Sequence, residues 1–161
     1  MTKRYWLLKT EPSVFSFDDL AKCPKRTTSW EGVRNYQARN LLRDEVKAGD
    51  LVLIYHSNAD PPVAVGIAKV VRGAYPDACQ FDRRSRYFDP KSDPAGPRWL
   101  SIDVQYDRPL ARPVSLPELR ATSELTAMAL LRKGNRLSVQ PVTAEEWKTI
   151  LALGGLPPGL P

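Results

Sequence analysis

Two apolar runs constrain this chain more than any other feature: Leu51 to Ser57 and Val63 to Arg72, joined by the polar stretch Asn58 to Pro62. Short apolar runs bounded by turn residues read as strands, and two joined by a tight polar connection read as a β-hairpin. Gly66 stands in mid-strand. A glycine there marks a bend or a bulge, the device by which a small sheet turns a corner. Whatever else the chain does, it must build a bent sheet around this hairpin.

The remaining segments supply strands and short helices. Tyr5 to Lys9 is a short apolar strand that Glu11-Pro12 ends. Trp99 to Tyr106 alternates, with Leu100, Ile102, Val104 and Tyr106 on one side, as a half-buried strand requires. Arg136 to Val142 reads as a short extended segment. Ser16 to Asp19, Ser115 to Glu118 and Thr143 to Glu146 have the spacing of capping boxes at helix starts. The third opens a helix whose Trp147, Ile150 and Leu151 face the core. Ala38, Leu41, Leu42 and Val46 share one helical face, which predicts an amphipathic helix over 35–46. Leu125 to Leu131 is expected to form a further helical turn. Cys23 to Ser29 is polar and basic and reads as a loop, and Tyr75 to Pro97 as a long surface loop. Gly154-Gly155 stops the last helix, and a loose proline-rich tail is expected after it. With 15 prolines against 9 glycines, long stiff loops and short helices are expected throughout. The sum is an α+β domain over residues 1–153, with 154–161 as tail, built on a curved, partly closed barrel.

Several functional classes lose support from the residue inventory. No run approaches 18 apolar residues, so no membrane helix is expected. The first residues lack the apolar run of a signal peptide. Cys23 and Cys79 are therefore read as reduced thiols, and the protein as cytoplasmic. One histidine and no Cys-x-x-Cys argue against a metal, and no cofactor is expected. Neither a P-loop nor GxGxxG appears. His56 ends an apolar strand, but Ser57 points to the opposite face and makes a poor nucleophile for it. The acid pairs Asp18-Asp19 and Glu145-Glu146 sit at helix starts, where capping accounts for them.

Binding has better support. The net charge is +6, which favours an anionic partner such as nucleic acid. Trp30 to Asn40 holds two aromatic rings, two guanidiniums and three carboxamides within eleven residues. Rings stack on bases, carboxamides read base edges and guanidiniums hold phosphates. Asn35 can equally be a helix N-cap, and Trp30 can equally plug the core.

Four stretches taken together resemble the EVE domain, a member of the PUA-like superfamily. They are Tyr5 to Pro12, Trp30 to Asn40, Gly49 to Asn58 and Arg136 to Val142. The resemblance implies a PUA-like curved β-barrel with short flanking helices, and kinship with domains that take a modified base into an aromatic-walled pocket. It implies a non-enzymatic reader of methylated or hydroxymethylated cytosine in DNA, or of a modified RNA base. Trp30, Val33, Asn35, Tyr36, His56, Ser57 and Asn58 are then the expected base-binding residues. Arg34, Arg39 and Arg136 are the expected phosphate contacts.

Energetics narrow this reading. Stacking on one aromatic contributes about 1–3 kcal/mol per base, and extracting a base from a duplex costs roughly a few kcal/mol. One added methyl gives only about 0.8 kcal/mol. Selection for a methylated base therefore needs more than apolar contact. Two other readings stand beside the reader: a hydrolase of RNA or a modified nucleoside using His56, or Lys9 with Glu11, and an RNA-binding module indifferent to modification.

Overall fold

The computed structural model describes residues 3–157. Six strands form one mixed sheet: β1 (Tyr5–Thr10), β2 (Thr27–Trp30), β3 (Leu51–His56), β4 (Val63–Pro76), β5 (Leu100–Ser115) and β6 (Val139–Val142). Their order is β2-β5-β4-β3-β1-β6. β1 runs parallel to β3, and the other four pairings are antiparallel. Four α-helices accompany them: α1 (Phe17–Lys22), α2 (Tyr36–Asp44), α3 (Leu116–Arg120) and α4 (Ala144–Leu153). The fold is α+β, as expected.

The sheet is the middle of three layers. Strand residues alternate between its two faces, and each face buries its own core. On one face Trp6, Leu8, Val52, Ile54 and Ile102 pack with Phe17 and Leu20 of α1 and Ala38 and Leu42 of α2. On the other, Leu7, Leu53, Ile67 and Val114 pack with Leu119 of α3 and Trp147, Ile150 and Leu151 of α4. This explains why β3 reads as an unbroken apolar run: a strand covered on both faces has no solvent side to mark with polar residues.

Strand pairing tests the expected barrel, because a closed barrel too can carry helices on its outer face. Among the described residues no ladder joins β2 to β6, so the sheet is open. The bend predicted at Gly66 is present. The β3–β4 register shifts between Ile54 and Tyr55, and the β4–β5 register shifts between Ala64 and Gly66.

β5 runs well past the predicted end at Tyr106, through Pro109 and Pro113. Pro109 stands opposite Gly66 where the ladder is already interrupted, so a missing N–H costs little there. β2 overlaps the end of the predicted 23–29 loop and runs on to Trp30. Its polar Thr27 to Ser29 are only half-buried on an edge, and pairing with β5 rather than sequence pattern makes it a strand.

Helix starts follow the expected chemistry. Ser16, Ser115 and Thr143 each accept from the backbone N–H three residues on, and the acid at that position accepts in return. Each such cap contributes about 1 kcal/mol. The turn expected over 125–131 forms as two 3-10 segments, Ser123–Leu125 and Ala129–Leu131. The beginning of the expected loose tail is packed, since Leu156 lies against the second core and its N–H donates to Leu151 O at 3.0 Å. Residues 158–161 of that tail lie outside the described residues. No helix among the described residues is long and apolar enough to cross a membrane.

Candidate nucleic-acid interface

Trp30 ends β2, paired with Ile102, and only 7% of its surface is exposed. The chain then turns at Gly32, whose φ of +86° suits glycine. What fixes the turn is Asp77, whose side chain is fully buried. Its carboxylate accepts from Gly32 N at 3.0 Å, Arg34 Nη1 at 2.9 Å and Cys79 N at 2.8 Å. Arg34 completes the brace by donating from Nε and Nη2 to the carbonyl of Tyr87, at 3.1 and 2.8 Å. Tyr87 is thereby held with its ring on Gly32. A Cβ at Gly32 would lie 2.5 Å from the Tyr87 ring, so the close approach needs glycine as much as the φ does.

The turn borders a cavity of about 480 Å³, within the ordinary size range for a small-ligand site of roughly 300–1,000 Å³. Its aromatic lining is Phe15, Trp30 and Tyr87, with Phe15 edge-on to Trp30 at 6.0 Å. Thr10, Thr28, Ser29, Ser57 and Ser138 add hydroxyls, and Lys9, Arg86, Arg136, Glu11 and Glu31 add charge. Three parts of the chain are tied together at its edge. Thr10 Oγ1 donates to Phe15 O at 2.6 Å, Ser57 N to Thr10 O at 3.0 Å and Lys9 N to Ser138 O at 2.9 Å. The parallel β1–β3 pair thus brings Thr10 and Ser57 to one rim.

Electrostatics separate the charged groups. Lys9 is half-buried, and desolvation pulls its ammonium below the usual lysine pKa. Arg86 and Arg136 are exposed at the margin. Glu31 accepts from the Cys79 thiol at 2.8 Å. Burial, reinforced by that carboxylate, pushes the thiol up to about 11, so Cys79 is a weak nucleophile at neutral pH.

Of the residues expected to bind a base or phosphate, Trp30, Val33, Ser57 and Arg136 line this cavity together. The others lie elsewhere. Asn35 caps α2, its side-chain oxygen accepting from Ala38 N at 3.0 Å. Tyr36 is 51% exposed on the outer surface and stacks on Trp99 at 4.9 Å. Arg39 lies over the Tyr36 ring and donates to Arg98 O. His56 Nε2 accepts from Phe17 N at 3.1 Å, anchoring the start of α1. Burial lowers its pKa, with Asp18 and Asp19 opposing. Asn58 is exposed at φ +51° in the hairpin connection. Arg34 is the brace just described.

Phe15, Glu31, Arg86 and Tyr87 were missed as site residues. The basic cluster Arg83 to Arg86 followed by Tyr87-Phe88 carried a usable signal, because cations beside aromatics suit nucleic acid. The loop holding them is far from irregular. Buried Gln80 donates to Asp77 O and Trp99 O, and accepts from Trp99 N and Ser92 Oγ.

The EVE domain profile matches residues 4–153. The chain belongs to the EVE domain family. It is 43% identical to thymocyte nuclear protein 1 of Rattus norvegicus, over 92% of this chain and 73% of that protein. A hypothetical protein from Leishmania major has a similar structure, with TM-score 0.90, 45% identity and 96% of each chain covered. The human THYN1 protein, crystallised in complex with DNA containing 5-methylcytosine, matches with TM-score 0.89 and 40% identity. That match covers 97% of this chain and all of the human one. The cytoplasmic placement expected from the sequence does not stand, because the rat and human relatives are named as nuclear proteins.

Proposed function

We propose that this protein is a non-enzymatic reader that binds DNA carrying 5-methylcytosine and holds the modified base in the cavity beside Trp30 and Tyr87. The observation that carries the reading is the human relative's complex with 5-methylcytosine DNA, at 40% identity over nearly the whole chain. The cavity supports it independently. Aromatic rings offer stacking, hydroxyls offer hydrogen bonds, and Arg86 and Arg136 offer charge to flanking phosphates. In this reading Tyr87 is the principal stacking ring, while Trp30 presents an edge from the core. Arg136 and Arg86 contact the backbone. Arg34 positions Tyr87, and Asn35 and His56 shape the surrounding structure.

The test is binding to matched oligonucleotides at near-physiological salt, where nonspecific phosphate attraction is damped. The panel is single- and double-stranded DNA and RNA, plain or carrying 5-methylcytosine, hydroxymethylcytosine or methyladenine. The informative variant is Tyr87→Ala. Trp30→Ala removes a core side chain at a stability cost of about 3–5 kcal/mol, which confounds its effect on binding. A preference for 5-methylcytosine DNA, with an affinity that Tyr87→Ala lowers about tenfold, as loss of one stacking ring implies, supports the reader. Equal affinity for plain and methylated DNA sinks it, as does turnover of any oligonucleotide at substrate excess.

A further inference from the structure

Two ionisable groups lining the cavity lack partners within the protein. Lys9 is half-buried at the end of β1, and its ammonium makes no hydrogen bond or ion pair to another described residue. Desolvation is the one influence acting on its titration. Glu11 stands two residues on, its backbone carbonyl fixed by Val14 N and Phe15 N, and its carboxylate likewise has no partner among the described residues. The cavity's other carboxylate, Glu31, is already engaged by Cys79. Its other cations, Arg86 and Arg136, are exposed at the margin. A half-buried ammonium without an acceptor is unfavourable unless something else supplies one. Lys9 is the half-buried cation left for a ligand, and Glu11, exposed at the cavity mouth two residues on, is the carboxylate left beside it.

We propose that Lys9 and Glu11 read the hydrogen-bonding edge of the bound base, selecting a 4-amino pyrimidine over a 4-oxo one. The proposal rests on the reader function above and assigns its base specificity. An ammonium only donates and a carboxylate only accepts. Cytosine and its 5-methyl derivative offer the complement: acceptors at O2 and N3, and a donor at the 4-amino group. Thymine carries the same 5-methyl on the same ring but reverses positions 3 and 4, with N3–H a donor and O4 an acceptor. Facing thymine, Glu11 meets an oxygen and Lys9 meets a proton. The methyl contributes little by burial alone, about 0.8 kcal/mol, so polar mismatch is the stronger filter between these two bases. Neither group needs to change its chemistry, and no reaction is implied.

The experiment compares full-chain binding to three duplexes differing at one position: 5-methylcytosine, cytosine or thymine, each opposite an abasic site so that no pairing energy differs. The variants are Glu11→Gln and Lys9→Met, and the readout is the ratio of affinities. Loss of folded protein lowers all affinities together and leaves that ratio unchanged. Wild type should prefer 5-methylcytosine to thymine by about tenfold or more. Glu11→Gln, which can donate as well as accept, should cut that preference about tenfold. Lys9→Met should weaken both cytosine forms. If wild type separates methylated from plain cytosine while Glu11→Gln leaves the ratio to thymine within about twofold, the edge assignment falls and the reader function stands. If wild type binds all three duplexes alike, both fall together.

Discussion

Arg34 and Arg39 look equivalent in sequence, two guanidiniums beside aromatics, yet both are engaged within the protein and neither lines the cavity. Four hydrogen bonds from Arg34 end on Val33 O, Asp77 and Tyr87 O. A side chain so engaged orders its neighbours rather than a ligand, and what it orders is a cavity ring. Asn35 follows the same logic, since capping an α-helix uses the oxygen that would have read a base. Residue types that suit nucleic acid were therefore visible along the chain, but the assignments of Arg34 and Arg39 depended on Asp77, Tyr87 and Arg98, more than 40 residues away. His56 yields a prediction at this scale. Burial holds its pKa below the ordinary value, so the folded state binds fewer protons than the unfolded one. Its contribution to stability is complete above the unfolded pKa of about 6.5. That contribution is lost as pH falls through the lower folded value. Protonation also removes the acceptor for Phe17 N–H. Wild-type Tm should decline as pH is lowered from about 7 to 5, and His56→Gln should flatten that decline. Identical pH profiles of Tm for the two proteins would refute the role.

At the scale of elements, the hairpin shows why local pattern succeeded in some places and failed in others. Gly66 was marked as a bend by its position alone. The structure adds a second requirement, because a Cβ there would lie 2.2 Å from the Phe17 ring, which is stacked on Tyr106 at 4.5 Å. Gly66→Ala must push that stack aside. Overpacking of this kind costs about 1–3 kcal/mol, so a denaturant melt should show a loss of that size with an unchanged m-value. A loss near zero would mean that α1 yields freely. The helix starts and the central hairpin were legible because caps and apolar runs act within a few residues. β2 was not, because its strand character comes from pairing with β5. The far half of β5 was hidden by prolines that a bulge accommodates. The open sheet was hidden for a similar reason, since bulges suggest curvature while closure depends on whether the distant edge strands β2 and β6 pair.

The cavity exists only at the scale of the whole molecule. It joins the end of β1, the turn after β2, the end of β3, the loop before β5 and the approach to β6. No single window of sequence contains it, and the Trp30 stretch held only one wall. The same scale governs how the net charge of +6 acts. Exposed cations attract DNA everywhere, but only those that neutralise phosphates in the complex release counterions and set the salt dependence. Arg86 and Arg136 flank the cavity and are exposed. Arg39 is held by Arg98 O, Asn40 Oδ1 and the Tyr36 ring on another part of the surface. Arg86→Ala and Arg136→Ala should each reduce the slope of log K against log salt by about 1, weakening plain and methylated DNA alike. Arg39→Ala should leave the slope unchanged. Affinities measured for the four proteins across a salt series decide the matter. A slope that drops for Arg39→Ala and holds for the other two would move the DNA path off the cavity margin and onto the α2 surface.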